Sequence, residues 1–567
     1  MRYAAVLIAA YAILLFAKRV IFPDIACDSI NYHVFLGKAA VENFPHLFQK
    51  AEFYPLGMHS FNPTLDTVTY LLSQLFGYRL GTVGSLLAFL GCLILSVRIA
   101  SIVIGQRLTI ATALLFVPAL VVNEGFFQLA TYYTDNIYAF LVLLSVFLVF
   151  SLGKASSISA LFAHTTLLGL LTGLLCTKLT NIIYVLPLFF STLAAGISAL
   201  NKLHVSAPSR TALSASFFYI LALLPLPALY WLDAYLQTGN PLFPYYNDIY
   251  QSPYYSTARW AFNYGPTTWI QRAFYPLFAI ADPKLLGEVK DLFPDLKLII
   301  AWIFFLCLLI VLFFRKQRWQ LQEAFFIAMI IFSFLLWQGL FGYVRYAIAL
   351  EYLLGLGIIL LVVKIGETGF PAKATILLYG LLAAGQSVSI LSFNSHYDIA
   401  WRPAGLPTTE IIKAWSAPTF FARQTSYPDD IASTLRNTEI VLQCVSPSSA
   451  YPVTFPELRD KPMLNLFLGT VSAIPFTAAY AQQRDGVALA ALDKTNSNRL
   501  NFALIVNDTN KPLNLFETCK KTLAQIHDEG GSVHVTNHFV VDNFVGDTRQ
   551  QLQLLTGEYT PAPRPLP

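Results

Sequence analysis

Apolar runs of near-bilayer length recur along this chain from residue 3 to residue 393, separated by short polar connections. A run of roughly 20 apolar residues satisfies its backbone internally as a helix and spans a bilayer. The runs fall at residues 3–16, 80–102, 109–122, 137–152, 212–232, 298–314, 324–341, 347–363 and 374–393. A further block, 159–200, is too long for one span and is broken at Thr177-Lys178-Leu179-Thr180-Asn181. It reads as two helices with a tight turn at Lys178, which brings the prediction to about eleven transmembrane helices. Residues 64–76 are apolar but too short to cross, and Asp66 interrupts them, so an interfacial or re-entrant helix is expected there.

The pattern changes after residue 393. Residues 438–444, 501–506 and 532–541 have the composition of strands, and 515–528 reads as a helix stopped by Gly530-Gly531. The predicted fold class is therefore a polytopic α-helical membrane domain over residues 1–393, followed by a small soluble α/β domain over 394–567.

Charge gives the membrane domain a direction. Alternate short loops carry Arg98, Arg107, Lys154, Lys202, Arg210, Arg315, Lys316, Arg318, Lys364 and Lys373, with almost no acids. The positive-inside rule places these loops in the cytoplasm. The amino terminus is then inside, and Asp28, Asp135, Lys178, the loop 233–296, Arg345 and residues 394–567 are outside. Lys18 and Arg19 run against the rule, and their expected role is contact with anionic lipid headgroups.

Composition agrees with this reading. Of the 567 residues, 56% are hydrophobic and 12% charged, with a mean hydropathy of +0.57. A soluble chain carries roughly twice that charged fraction. The net charge of +5 comes without any block of like charges, which argues against a nucleic-acid partner. The six cysteines, Cys27, Cys92, Cys176, Cys307, Cys444 and Cys519, have no metal-ligand spacing. Cys444 and Cys519 share the soluble domain, where an oxidising compartment permits a disulfide. Cys27 follows an apolar segment, but Asp24 occupies a position that a lipidation signal keeps apolar.

The candidate chemistry gathers on the outer face. Directly after the first span comes Asp28-Ser29-Ile30-Asn31-Tyr32-His33. The bland reading of Asp28 is a helix cap. The density of carboxylate, phenol and imidazole around it instead suits an active site, with Asp28 as general base. Asp135, at the mouth of a span beside Tyr132, Tyr133 and Asn136, is either a second functional carboxylate or an N-cap. Arg345 lies in a short turn between spans, where an unpartnered charge is costly. A phosphate would suit its planar fork. Lys178, Lys50 and Arg259 are further outer-face cations for the same role. The rigid turn Thr238-Gly239-Asn240-Pro241, followed by Phe243, Tyr245 and Tyr246, offers aromatic faces to a sugar ring or an isoprenoid chain. Tyr32, His33, His59, Asn240 and Tyr245 complete the candidate substrate contacts.

Six stretches, in this order and on one face, resemble the GT-C membrane glycosyltransferases, the class that includes the lipid A aminoarabinose transferase and the protein O-mannosyltransferases. They are Asp28-Ser29-Ile30-Asn31-Tyr32-His33, Tyr54-Pro55-Leu56-Gly57-Met58-His59, Tyr133-Thr134-Asp135, Gly173-Leu174-Leu175-Cys176-Thr177-Lys178, Gly239-Asn240-Pro241-Leu242-Phe243-Pro244 and Arg345-Tyr346. The resemblance covers about residues 1–393. It implies a polyprenyl-phosphate sugar donor, an acidic base in the first outer loop, and a lipid, glycan or protein acceptor. It places the chain in the plasma (inner) membrane with its site facing the periplasm. No cofactor is implied. Asp28-Ser29 replaces the paired acids of some members, which argues against a bound divalent metal without excluding one, and no metal ligand is named. The rival classes are a glycan polymerase or ligase and a lipid-linked sugar flippase. A flippase calls for charges at mid-membrane and internal repeats, neither of which the sequence shows.

The orientation is directly testable. Cysteine placed at Ser395 is expected to react with an impermeant thiol reagent in intact cells, and cysteine at Ser156 only after permeabilisation. The reverse pattern overturns both the orientation and the placement of the site.

Overall fold

The computed structural model describes residues 2–20, 24, 28–42, 62–103, 116, 117, 119–203, 208–243, 245–254, 257, 265–282, 285, 297–315, 319–367, 429–443, 455, 457, 458, 461, 463–465, 500–506, 532–543 and 550–560. The helices in chain order are α1 (Arg2–Arg19), α2 (Val34–Glu42), α3 (Thr64–Leu80), α4 (Val83–Val103), α5 (Asn123–Phe127), α6 (Asp135–Leu152), α7 (Ile158–Leu175), α8 (Ile182–Lys202), α9 (Pro208–Leu223) and α10 (Pro225–Thr238). Then follow the short α11 (Asn247–Tyr250), α12 (Trp269–Ala273) and α13 (Tyr275–Ala281), and the long α14 (Lys297–Phe314), α15 (Leu321–Leu340), α16 (Ile348–Glu367) and the outlying α17 (Asp429–Arg436).

Among the described residues seven helical segments are long and apolar enough to cross a membrane, or eight if the bent pair α9–α10 is one span. The difference from the expected eleven has identifiable sources. Helix α1 forms as predicted, but Arg2, Lys18 and Arg19 crowd its ends. Spans expected at 109–122 and 374–393 fall wholly or mostly outside the described residues. The span expected at 212–232 bends by 48° where Pro225 opens α10, because proline cannot donate into the preceding turn. The short piece beginning at residue 64 is helical as expected, in α3, which bends at Gly77. The block 159–200 divides where predicted, into α7 and α8, with Lys178 in the turn.

Helix α16 is the centre of the bundle. With the turn before it, 94% of its span is buried inside the protein, against 39–67% for the other six. The outer helices instead show leucine and phenylalanine to the lipid, as Phe217, Phe313 and Phe314 do. Charged pairs fix α16 along its length. Glu351, in its first turn, pairs with Lys297 of α14 at 3.2 Å, and Lys364, in its last, pairs with Glu323 of α15 at 2.8 Å. Buried charges of this kind persist only when paired.

Small residues let α7 and α9 approach closely. Gly169 and Gly173 are spaced one helical turn apart on the face that meets the α9 backbone. A Cβ at Gly173 would lie 2.6 Å from the Leu223 carbonyl oxygen, and one at Gly169 would overlap the Tyr219 carbonyl. Backbone contact of this sort replaces hydrophobic driving force inside a bilayer.

Among the described residues the carboxy-terminal region holds a five-stranded mixed sheet, β1 (Ile440–Gln443), β2 (Met463–Asn465), β3 (Leu500–Val506), β4 (Ser532–Asn543) and β5 (Gln550–Thr560), in the order β2-β1-β3-β5-β4. The β1 strand pairs parallel with β2 and β3, and β5 pairs antiparallel with β3 and β4. Three strands fall where predicted; β2 and β5 were not read from the sequence. The predicted helix 515–528, Cys27, Cys444 and Cys519 lie outside the described residues.

Replacing Gly173 by leucine is expected to lower thermal stability in detergent by at least about 2 kcal/mol, the range of core overpacking. Fluorescence-detected melting checks this. Unchanged melting would show that α7 and α9 separate at no cost.

Candidate active site

Four junctions bring the site together at one end of the bundle. Helix α6 leaves this end at Asp135, α7 returns to it at Leu175, and α8 leaves again after the turn at Lys178. The turn between α15 and α16 arrives at the same end with Arg345. Asp28 precedes the π-helical turn Ser29–His33 that leads into α2. Residues distant in sequence thus meet because each sits where an apolar helix stops and polar groups are tolerated.

Arg345 joins the cluster. Its Nη1 donates to Asp28 Oδ2, and its Nε donates to Asp135 Oδ2 at 3.0 Å. The guanidinium carbon stands 4.2 Å from the Tyr133 ring centroid, a cation–π contact. Asp135 also accepts from Lys178 Nζ and from Gln128 Nε2 at 3.0 Å. Its carboxylate therefore holds two cations and does not cap α6, whose cap position is Thr134. Lys178 Nζ lies 5.4 Å and 5.5 Å from the Tyr138 and Tyr346 rings. The sequence pointed to a phosphate or lipid headgroup as the partner of Arg345; the structure also gives it two carboxylates, because only ionic partners make a buried guanidinium tolerable here.

Asp28 is the more open of the two acids, with 22% of its side chain exposed against 6% for Asp135. Burial opposes its ionisation, but the Arg345 guanidinium outweighs burial and holds the carboxyl below its usual range. Burial and the neighbouring Asp28 push the Tyr32 phenol well up, so that it stays protonated and donates to Asp28 Oδ2 at 3.3 Å.

The turn that delivers Arg345 is held from several sides. Trp337 Nε1 donates to Tyr343 O at 2.8 Å, Tyr184 OH to Tyr346 O at 2.8 Å, and Tyr275 OH to Gly342 O at 3.1 Å. Gly342 and Gly265 both have positive φ, 64° and 82°. They lie so close that a Cβ on Gly342 would come within 2.5 Å of the Gly265 Cα. Only glycine combines that backbone conformation with that approach.

Beside the cluster is a cleft of about 110 Å³ open to the centres of water molecules. Its walls include Tyr32, His33, Asp66, Lys178, Tyr230 and Tyr245. His33 Nδ1 lies 2.6 Å from Asp66 Oδ1. Tyr245 is on the cleft wall. Asn240 is not: it is fully buried, its Nδ2 donating to Tyr245 O and its Oδ1 accepting from Leu242 N, both at 2.9 Å. It builds the turn after Gly239, and the neighbours it positions, Pro241, Leu242 and Phe243, face the cleft. Lys50, His59 and Arg259 lie outside the described residues. Arg19 is also reassigned: it is buried, and its Nη1 donates to the carbonyls of Phe126, Phe127 and Leu129, capping the end of α5. The sequence reading named Asp66 only as an interruption. A carboxylate in the first turn of an otherwise apolar helix was the signal. Among the described residues no three His, Cys, Asp or Glu side chains gather as metal ligands.

The fold and site together are those of a polytopic helical membrane protein with a charged centre at one end of its bundle. No protein-family model matches the chain, and a search of curated proteins finds no match. Among solved structures, similar ones include ArnT from Cupriavidus metallidurans bound to undecaprenyl phosphate. It has a TM-score of 0.47 and 13% identity, over 97% of each chain. The same protein in its apo state gives 0.45 at 13% identity, again over 97% of each chain. The Archaeoglobus fulgidus oligosaccharyltransferase, in complex with zinc and sulfate, gives 0.39 at 13% identity, over 93% of this chain and 72% of that one. Both proteins have the GT-C fold, the class that the sequence resembles. At these scores the likeness assigns neither activity nor substrate, and the function rests on the site itself.

Replacing Arg345 by leucine leaves Asp28 without its cation and Asp135 with one of two. The expected loss of stability is about 3–5 kcal/mol, the range for breaking a buried pair. Arg345→Lys, which keeps charge but cannot bridge both acids, is expected to lose less. Melting curves in detergent distinguish the two; equal, small losses would show that the bridge is not structural.

Proposed function

We propose that this protein is an integral-membrane glycosyltransferase. It moves a sugar from a polyprenyl-phosphate donor to a lipid, glycan or protein acceptor on the extracytoplasmic face of the plasma membrane. The observation that carries the reading is the adjacency of the Asp28–Arg345–Asp135–Lys178 cluster to an aromatic cleft at the end of the bundle.

The reaction needs three things there. The leaving phosphate needs cations as charge develops on it, and Lys178 on the cleft wall and Arg345 behind it supply them. The sugar needs apolar and hydrogen-bonding faces, which Tyr32, Tyr230 and Tyr245 offer. The attacking hydroxyl or amine needs a proton acceptor. Asp28 is ionised and partly open; His33 stands on the cleft with Asp66 behind it. The Arg345 guanidinium keeps the Asp28 carboxyl low, so Asp28 is a weak base as long as that pair holds. The positive-inside pattern supports the extracytoplasmic side. On that side nucleotide sugars are scarce, so a lipid-linked donor is the consistent choice. The soluble region from residue 394 belongs to the same face in this scheme.

Asp28→Asn preserves size while removing both proton acceptance and the charge that holds Arg345. Single-turnover release of polyprenyl phosphate, measured in nanodiscs with lipid-linked sugars extracted from the source membranes, is expected to fall by about two to four orders of magnitude. Retention of undecaprenyl phosphate by the variant shows that the fold and donor site survive. Near wild-type release would refute a chemical role for Asp28. Transfer of whole glycan chains, read by mass spectrometry of the product, would replace the single-sugar reading with a polymerase or ligase.

A further inference from the structure

His33 and Asp66 form a second polar centre on the same cleft, separate from the ion-pair cluster. Their meeting is built into the backbone. Helices α2 and α3 cross where Gly37 has no side chain; a Cβ there would overlap the Asp66 carbonyl and stand 2.6 Å from Tyr70 Cβ. Gly37 lies one helical turn beyond His33, so this crossing brings the imidazole against the first turn of α3. His33 Nδ1 and Asp66 Oδ1 are 2.6 Å apart, with 3% and 8% of the two side chains exposed. An ionised Asp66 accepts the Nδ1 proton and leaves the lone pair on Nε2. Nε2 is buried and makes no hydrogen bond among the described residues. A buried polar atom without a partner is uncommon and calls for an explanation, and here the residue that bears it lines the cleft.

We infer that His33 is the general base of the proposed transfer and that Asp66 is its positioning residue. The inference rests on the glycosyltransferase reading and names the atom that takes the proton. Nε2 accepts the proton of the acceptor hydroxyl or amine. The freed electron pair forms the bond to the anomeric carbon, the bond from that carbon to the phosphate oxygen breaks, and its electrons leave on the lipid phosphate. Asp66 stabilises the resulting imidazolium, which returns its proton to water. The ionisable groups around the ring are Tyr32, tilted against it with ring centres 4.2 Å apart, Tyr133 at 5.7 Å, Asp66 and Asp28, with Tyr138 and Lys178 on the cleft wall. Asp28 meanwhile stays with Arg345, whose position it fixes. A nucleophile, a base and an orienting acid in line is the arrangement that activates weak nucleophiles generally.

The test uses the full-length protein in nanodiscs, with lipid-linked sugars extracted from the source membranes as donors and single-turnover release of polyprenyl phosphate as the readout. His33→Ala is expected to lower the rate at least about a hundredfold, and added imidazole to restore part of it. His33→Gln, which still donates to Asp66, guards against misfolding. It is expected to be equally slow, to bind undecaprenyl phosphate within about twofold of wild type, and to lose the acidic limb of the pH–rate profile. Asp66→Asn is expected to slow the reaction less and to shift that limb. Asp28→Asn is expected to be slow yet to keep it. A His33→Gln rate within threefold of wild type overturns the assignment, as does an acidic limb that survives in His33→Gln and vanishes in Asp28→Asn. Absence of polyprenyl phosphate release by the wild type from any extracted donor removes the wider reading, and this inference with it.

Discussion

A charge at the end of an apolar bundle must find an opposite charge, and in this protein that requirement organises the site. Arg345 is brought by the turn before the most buried helix, and Asp28 and Asp135 converge on it from two other elements. Lys178 completes the set from a fourth. The desolvation of each ion is severe, and mutual pairing with cation–π support from Tyr133, Tyr138 and Tyr346 is what makes it tolerable. The geometry of the helix ends follows: a displaced turn would strand a charge. The same balance leaves the cluster close to neutral, and in the proposed transfer the donor phosphate would meet cations already held in place. It would compete with carboxylates for them and would not have to draw in mobile side chains.

The sequence was legible wherever one residue type has one dominant physical meaning. Apolar runs gave the long helices, and Lys178 inside the block 159–200 gave the turn between α7 and α8. Arg345 and Lys178 stood out because charge beside hydrocarbon is expensive, and Asp28 and Asp135 because polar residues crowd around them at the ends of spans. Their partnership was not legible: which carboxylate meets which cation depends on bundle packing that periodicity does not encode. The β1, β3 and β4 strands were visible as β-branched or apolar runs; the three-residue β2 and the glutamine-rich β5 carry weaker patterns and depend on their partners in the sheet.

Asn240 and Arg19 show the opposite failure. Both were polar residues in suggestive places, and both serve the backbone, one building a turn and the other closing α5. Composition cannot separate a polar side chain that serves a ligand from one that satisfies nearby carbonyls. Asp66 was passed over for a related reason: its partner, His33, is 33 residues away and reaches it only through the α2–α3 crossing.

The pairs along α16 have a mechanical consequence. Arg345 ties the turn before this helix to Asp28 and Asp135, Lys297 grips its first turn at Glu351, and Glu323 grips its last at Lys364. Sliding or rotating it by even one residue would part these pairs together, in largely buried surroundings. The central helix therefore behaves as a fixed post. In the proposed transfer a long lipid donor would be accommodated by elements outside these locks, such as the bent pair α9–α10, moving against a stationary axis.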